Sequence, residues 1–210
     1  MTSKKKLLII ALSILGAIAL LLAAIPLLEW LTREPDPIYD FEFADPSLSA
    51  DIYADPDYMD LDRSIYYVTS MGAYDFETAI GEGDYTSYNK AVQLLIRLVL
   101  AVQAGDDETY NSCFSPEYIA KEGKQPAFTM QKVYDIRIQQ YAVSSTVKIP
   151  AGYKSVYAYG LRYRIKDNNG SLRNDMDSDG VREQYFHIVL DENDVAWVYG
   201  IQVKNYRPAS

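Results

Sequence analysis

The chain has 210 residues and a formal net charge of -9, and three of its twenty basic residues precede an N-terminal apolar run. Beyond that run, 17 basic residues face 29 acidic ones, a balance that argues against nucleic acid and against an anionic lipid surface as partners. Cys113 is the only cysteine, which excludes a disulfide framework and reads as a small buried core residue.

Lys4, Lys5 and Lys6 are followed by Leu7 to Leu28, a stretch without one charged side chain. That is long enough to cross a bilayer as a helix, and Trp30 falls where an amphipathic ring suits the interface. By the positive-inside rule, residues 1–6 are expected in the cytoplasm, 7–28 in the membrane and the rest outside it. A cleavable signal peptide is the alternative, with small residues at Ala17, Ala19, Ala23 and Ala24, but such apolar regions usually run only about 7–15 residues. The expectation is therefore a signal-anchor in the cell membrane, crossing once, with an extracytoplasmic domain.

Residues 29–62 read as an acidic, proline-containing tether. Between Arg33 and Asp60 lie nine acidic residues, four prolines and one base. Proline fixes φ and like charges repel, so such a segment extends. Ile38, Tyr39, Phe41 and Phe43 are too apolar for a pure spacer, and Asp55-Pro56-Asp57-Tyr58 suggests turns. Part of the tether is thus expected to dock on the domain, which is taken as residues 63–210.

Within the domain, Ser64–Val68 and Tyr74–Ile80 form a possible hairpin around Gly72. A helix follows over about 85–104, apolar on nearly every side through Ala91, Val92, Leu94, Leu95, Ile96, Leu98, Val99 and Val102. Such a helix must be covered on most sides, which makes it the central core element. Gly105 is expected to end it, Asp106 or Asp107 to cap a short second helix, and Ser115-Pro116 to begin a further turn. Period-2 alternation then places Tyr134, Ile136 and Ile138 on one face of a strand, opposite Asp135, Arg137 and Gln139. A second strand sets Tyr157, Tyr159, Leu161, Tyr163 and Ile165 against Arg162, Arg164 and Lys166. Gln184–Leu190 and Val195–Val203 make a closing hairpin at a sheet edge or corner.

This layout, a long apolar helix, then AVQAGDDETYNSCFSPEYI, then antiparallel strands ending near Trp197 and Tyr199, resembles the nuclear transport factor 2-like fold. The resemblance covers roughly residues 86–203 and implies an α+β class, with helices packed on a curved antiparallel sheet. Members of that fold include ketosteroid isomerase and scytalone dehydratase as well as non-catalytic binding modules, so the fold alone does not decide function.

His187 is the only histidine, and as a catalytic base it would need a partner such as Asp135. One histidine without a cysteine cluster cannot form the usual zinc site. Asp175, Asp177 and Asp179 alternate ahead of Gly180, like the first half of an EF-hand loop. The carbonyl of Val181 and the side chain of Glu183 could complete a calcium shell, which makes calcium the one candidate cofactor. A solvated acidic turn is the alternative, and Phe186 stands where an EF-hand needs its bidentate glutamate. Nineteen tyrosines against six phenylalanines suit an interface, since the ring adds apolar area and a polar tip.

No phosphate-binding glycine loop and no nucleophile elbow occurs. The expected function is accordingly a membrane-anchored binding or assembly module with a protein partner or self-association. A small-ligand pocket protein, or an isomerase or dehydratase-like enzyme, is the alternative. A cone filled by the Val92–Val102 helix favours the first, and a deep cavity lined by His187 and tyrosines favours the second.

Overall fold

The computed structural model describes residues 52–71, 74–143 and 148–203; the predicted span at 7–28 and the tether up to residue 51 lie outside them. Among the described residues no helix is long and apolar enough to cross a membrane.

A short 3-10 turn (Ile52–Ala54) leads into helix α1 (Pro56–Met59). Asp55 caps α1 by accepting from the Asp57 and Tyr58 amides, and Pro56 sits at the first helical position, where a missing N–H costs nothing. Tyr58 is fully buried and its hydroxyl donates to the Val133 carbonyl at 2.9 Å. The folded domain therefore reaches at least to Ile52, eleven positions earlier than the tether boundary read from composition. Acidic and proline content masked two buried side chains, Ile52 and Tyr58.

Strands β1 (Ile65–Met71) and β2 (Tyr74–Ile80) pair as the expected antiparallel hairpin. After a 3-10 turn (Asp84–Ser87) comes the core helix α2 (Lys90–Ala104), then α3 (Asp107–Ser112) and α4 (Pro116–Glu122). Asn89 caps α2 by accepting from the Val92 amide at 3.0 Å while its amide donates to the Tyr159 hydroxyl at 2.8 Å, joining helix start to sheet. Gly105 ends α2 in the left-handed region at φ 66°, with the Asp106 amide bonded to Ala101 and its own amide to Val102, a Schellman closure. A Cβ there would lie 2.7 Å from the Met130 nitrogen, so glycine is required for space as well as for backbone angle.

The remaining strands are β3 (Lys132–Tyr141), β4 (Tyr153–Lys166), β5 (Gln184–Asp191) and β6 (Ala196–Val203). All six strands form one curved sheet in the order β2-β1-β3-β4-β5-β6. The fold is α+β, as expected, but the sheet is mixed: β1 runs parallel to β3, because the hairpin precedes the helices and re-enters the sheet from the far side.

The alternation predicted for β3 also breaks. The register with β4 shifts between Tyr134 and Arg137, and Asp135 adopts φ 54°. This β-bulge puts Val133, Ile136 and Ile138 in the core and releases Tyr134 from their row. In β4 the pattern holds, with Tyr159, Leu161, Tyr163 and Ile165 all buried.

The concave side of the sheet closes on α2. Val92, Leu95, Leu98, Val99 and Val102 pack with Ile136, Ile138, Leu161, Phe186 and Ile188, every one of them at most 1% exposed. Burying a side chain of this size stabilises by roughly 1.5–3 kcal/mol, which explains why a helix with no acid in its first turn is nonetheless the centre of the domain.

Candidate functional site

The β4–β5 connection holds the acidic motif and is built around a buried arginine. Residues 167–183 fold back so that Met176 and Leu172 enter the core, and this carries Arg173 inside with them. A buried guanidinium needs a partner, and Asp175 supplies one: Nε and Nη2 of Arg173 donate to its two carboxylate oxygens at 2.5 and 2.8 Å. The same guanidinium lies over the ring of Tyr163. Burial opposes the charge, but Tyr163 and Asp175 hold the Arg173 pKa above its ordinary value.

Asp179 serves a different neighbour. Its carboxylate accepts from the Tyr134 hydroxyl at 2.7 Å, and its own carbonyl accepts from Arg164 at 2.6 Å. Burial and this hydrogen bond push the Tyr134 hydroxyl up to about 12. The bulge in β3 is what aims Tyr134 at the loop. Asp177 stays exposed, and its carbonyl accepts the Gly180 amide that closes the turn.

Four of the five candidate calcium ligands, Asp175, Asp177, Asp179 and Val181, line one open depression together with Arg164 and Arg182, and Glu183 lines another. Asp175 faces Arg173, Asp179 faces Tyr134, and Val181 is half-buried. Glu183 accepts from Tyr141 at 2.7 Å and from Tyr185 at 3.1 Å. Among the described residues no three His, Cys, Asp or Glu side chains gather to hold a metal ion.

The candidate acid–base pair is separated as well. His187 lies beside Ala158 on β4, which pairs in turn with Tyr141 on β3. Asp135 is six residues from Tyr141 on that strand, about 20 Å at the usual rise. Its carboxylate is held by Arg137 and by Arg164. His187 instead borders an open depression with Glu117, Lys121, Glu122 and Tyr199.

Neither a family model, nor a curated protein, nor a solved structure matches this chain.

Three features had no usable signal in the sequence. Arg173 is one, since an arginine two positions before an aspartate in a polar loop gives no hint of burial. A polar knot beneath the loop is another, in which Thr129, Gln131, Ser171 and Asn169 bond to one another at 2.8–3.1 Å. The last is a groove of about 790 Å³ on the outward side of α2. Gln93, Arg97, Leu100 and Ala104 recur there at helical spacing, and the β5–β6 turn from Asn193 to Ala196 forms the opposite wall. Leu100 and Val195 are 51% and 44% exposed in it, a volume and apolar character suited to occupation by a ligand.

Proposed function

We propose that this chain is a single-pass membrane protein whose outer α+β domain, of the nuclear transport factor 2-like kind, binds another envelope protein or a second copy of itself. The observation that carries the reading is the filled interior: the side chains of α2 occupy the space that a pocket enzyme of that layout would leave for substrate. The order of one long helix, two short ones and a four-strand antiparallel meander agrees with the same layout. Separation of His187 from Asp135 removes the acid–base pair that the enzymatic alternative would use.

The surface offered for binding is the β1–β2 hairpin. Met71, Tyr74 and Phe76 are exposed on it by 66%, 74% and 55%, and they share one face of the two strands. Exposed aromatics at a strand edge are the usual anchors of a protein interface.

The test is photo-crosslinking in membranes with a light-activated residue at Phe76 of the full chain, and a control at exposed Lys124. A discrete adduct from Phe76 alone, whether to a partner or to a second copy, is expected. Absence of any adduct or oligomer overturns the reading. Fractionation with N-terminal sequencing tests the anchor separately: a soluble chain beginning near Leu20 or Ile25 would refute it.

A further inference from the structure

We infer that β2 takes its partner by strand addition, and that the partner supplies an extended segment in which apolar and basic residues alternate. The inference rests on the reading of the hairpin as a protein-binding surface, and it names the backbone edge and the charge that select what binds there.

The first observation is the edge itself. β2 stands last in the sheet, and it pairs with β1 along its whole length without a register shift. Half of the N–H and C=O groups of such a strand point away from its one neighbour. Among the described residues, none outside β1 bonds to them. Proteins usually guard an edge with lysine, proline, a bulge or a very short strand, and Tyr74–Ile80 has none of these. An edge this regular can accept a further strand through main-chain hydrogen bonds.

The second observation is what the two sides of β2 present. Tyr74, Phe76, Thr78 and Ile80 alternate with Asp75, Glu77 and Ala79. The first side continues the core outward. Ile80 and its pair Ile65 pack against the core, Tyr67 opposite Thr78 meets the Tyr88 ring at 5.3 Å, and Phe76 and Tyr74 run on beyond them, exposed. An added strand extends that side with apolar residues.

The other side carries charge of one sign. From Ser64 to Asn89 the chain has Asp75, Glu77, Glu82 and Asp84 and neither lysine nor arginine. Glu77 pairs with Arg137, whereas the Asp75 side chain accepts only from the Ser70 hydroxyl, and Glu82 and Asp84 enter no ion pair among the described residues. Basic residues on the incoming strand therefore meet acids beside them on β2, where cross-strand pairs of opposite charge stabilise.

A second copy of β2 fits this edge badly. Full overlap about a twofold axis sets Glu77 against Glu77, and sliding toward the turn sets Asp75 against Glu77 twice. Sliding the other way gives up Tyr74 and Asp75 altogether. The acids thus turn away like strands and select a basic one.

Amide hydrogen exchange on the full chain in neutral detergent tests this. The probes are two blocked peptides matched in length to β2, one alternating lysine with valine and the other glutamate with valine. At millimolar concentration the lysine peptide is expected to slow exchange in residues 74–80 at least several-fold, chiefly at alternate amides, while the glutamate peptide leaves it unchanged. Asp75→Asn should reduce that protection several-fold, with exchange in β3 and β5 unaltered as the check on folding. Equal protection by the two peptides removes the charge selection, protection by neither removes strand addition, and each result overturns the proposal. Protection that needs no peptide and rises with protein concentration assigns the edge to a second copy and overturns it as well. A Phe76 adduct in membranes without any protection of β2 by the lysine peptide leaves the protein-binding reading standing and overturns strand addition alone. Absence of every adduct removes that reading, and this inference with it.

Discussion

The two edges of the sheet are treated in opposite ways. On the β6 side, the Ser115 amide donates to the Val198 carbonyl at 2.9 Å and the Val198 amide donates to Cys113 at 2.8 Å, so the α3–α4 junction closes the edge. Phe114 then inserts between the rings of Tyr110 and Tyr118, at 5.1 and 4.8 Å between centroids. On the β2 side no strand covers the edge among the described residues, and six of the seven β2 side chains are exposed. A bare edge is an aggregation hazard that proteins normally blunt. Here Glu77 and Asp75 do the blunting, one paired to Arg137 and one accepting from Ser70, while Tyr74 and Phe76 remain free for contact. One edge is closed by the fold and the other is open among the described residues.

The largest expected effect is at the closed edge. Phe114→Ala removes a ring that is 5% exposed, and such truncations cost about 3–5 kcal/mol. In a domain of this size that lowers Tm by roughly 10 °C, measurable by calorimetry. A change below about 1 kcal/mol would mean that α3 and α4 merely rest on β6.

Next in size is the loop between β4 and β5. Asp175→Asn leaves the Arg173 guanidinium buried without its counter-charge, for an expected loss of about 3 kcal/mol by chemical denaturation. The same measurement with and without millimolar calcium tests the loop as a cation site: a loss unchanged by the ion leaves Arg173 as the partner that matters. A calcium-dependent rise in Tm that Asp177→Ala abolishes would instead assign a cation to this loop.

A smaller effect is expected in acid. Asp55 accepts from Lys132 at 2.6 Å and Lys166 at 3.2 Å, and the Lys132 hydrogen bond above all holds its carboxyl well below the usual range. A depressed folded pKa contributes stability that is complete above the unfolded carboxylate value and is lost as pH falls toward the folded one. Stability should therefore decline below about pH 4, and Asp55→Asn should flatten that limb of the curve. An unchanged acid limb in the variant would show that other carboxylates set it.

How far the sequence revealed this arrangement depended on the range of the interactions involved. The α2 helix, its Asn89 and Gly105 ends, the Asp106 and Ser115 caps and the two hairpins are specified by residues a few positions apart, and reading the chain locally was enough for most of them. The parallel β1–β3 pairing, the burial of Tyr58 and the bulge at Asp135 each depend on partners about 70 residues away or on a register shift that alternation cannot reveal. The neighbours of the acidic loop were hidden for the same reason. Asp-x-Asp-x-Asp-Gly is a local pattern, but what its carboxylates face is decided by Tyr134 and by an arginine drawn inside with Leu172 and Met176.

The smallest expected effect on stability is the one that most sharpens the contrast between the edges. Phe76→Ser removes a ring that is 55% exposed at a strand with solvent on its outer side, so stability should change by no more than about 0.5 kcal/mol. Association should change far more, because an exposed aromatic anchor contributes to binding what it does not contribute to folding. In membranes the variant should therefore keep its melting temperature and lose its cross-linked adduct. A drop of several degrees without loss of the adduct would reverse the assignment, making β2 a structural edge whose exposed rings brace the hairpin against β1. The two readouts separate because Phe76 faces Thr69 across the hairpin and has no ring partner among the described residues, so little within the domain depends on it.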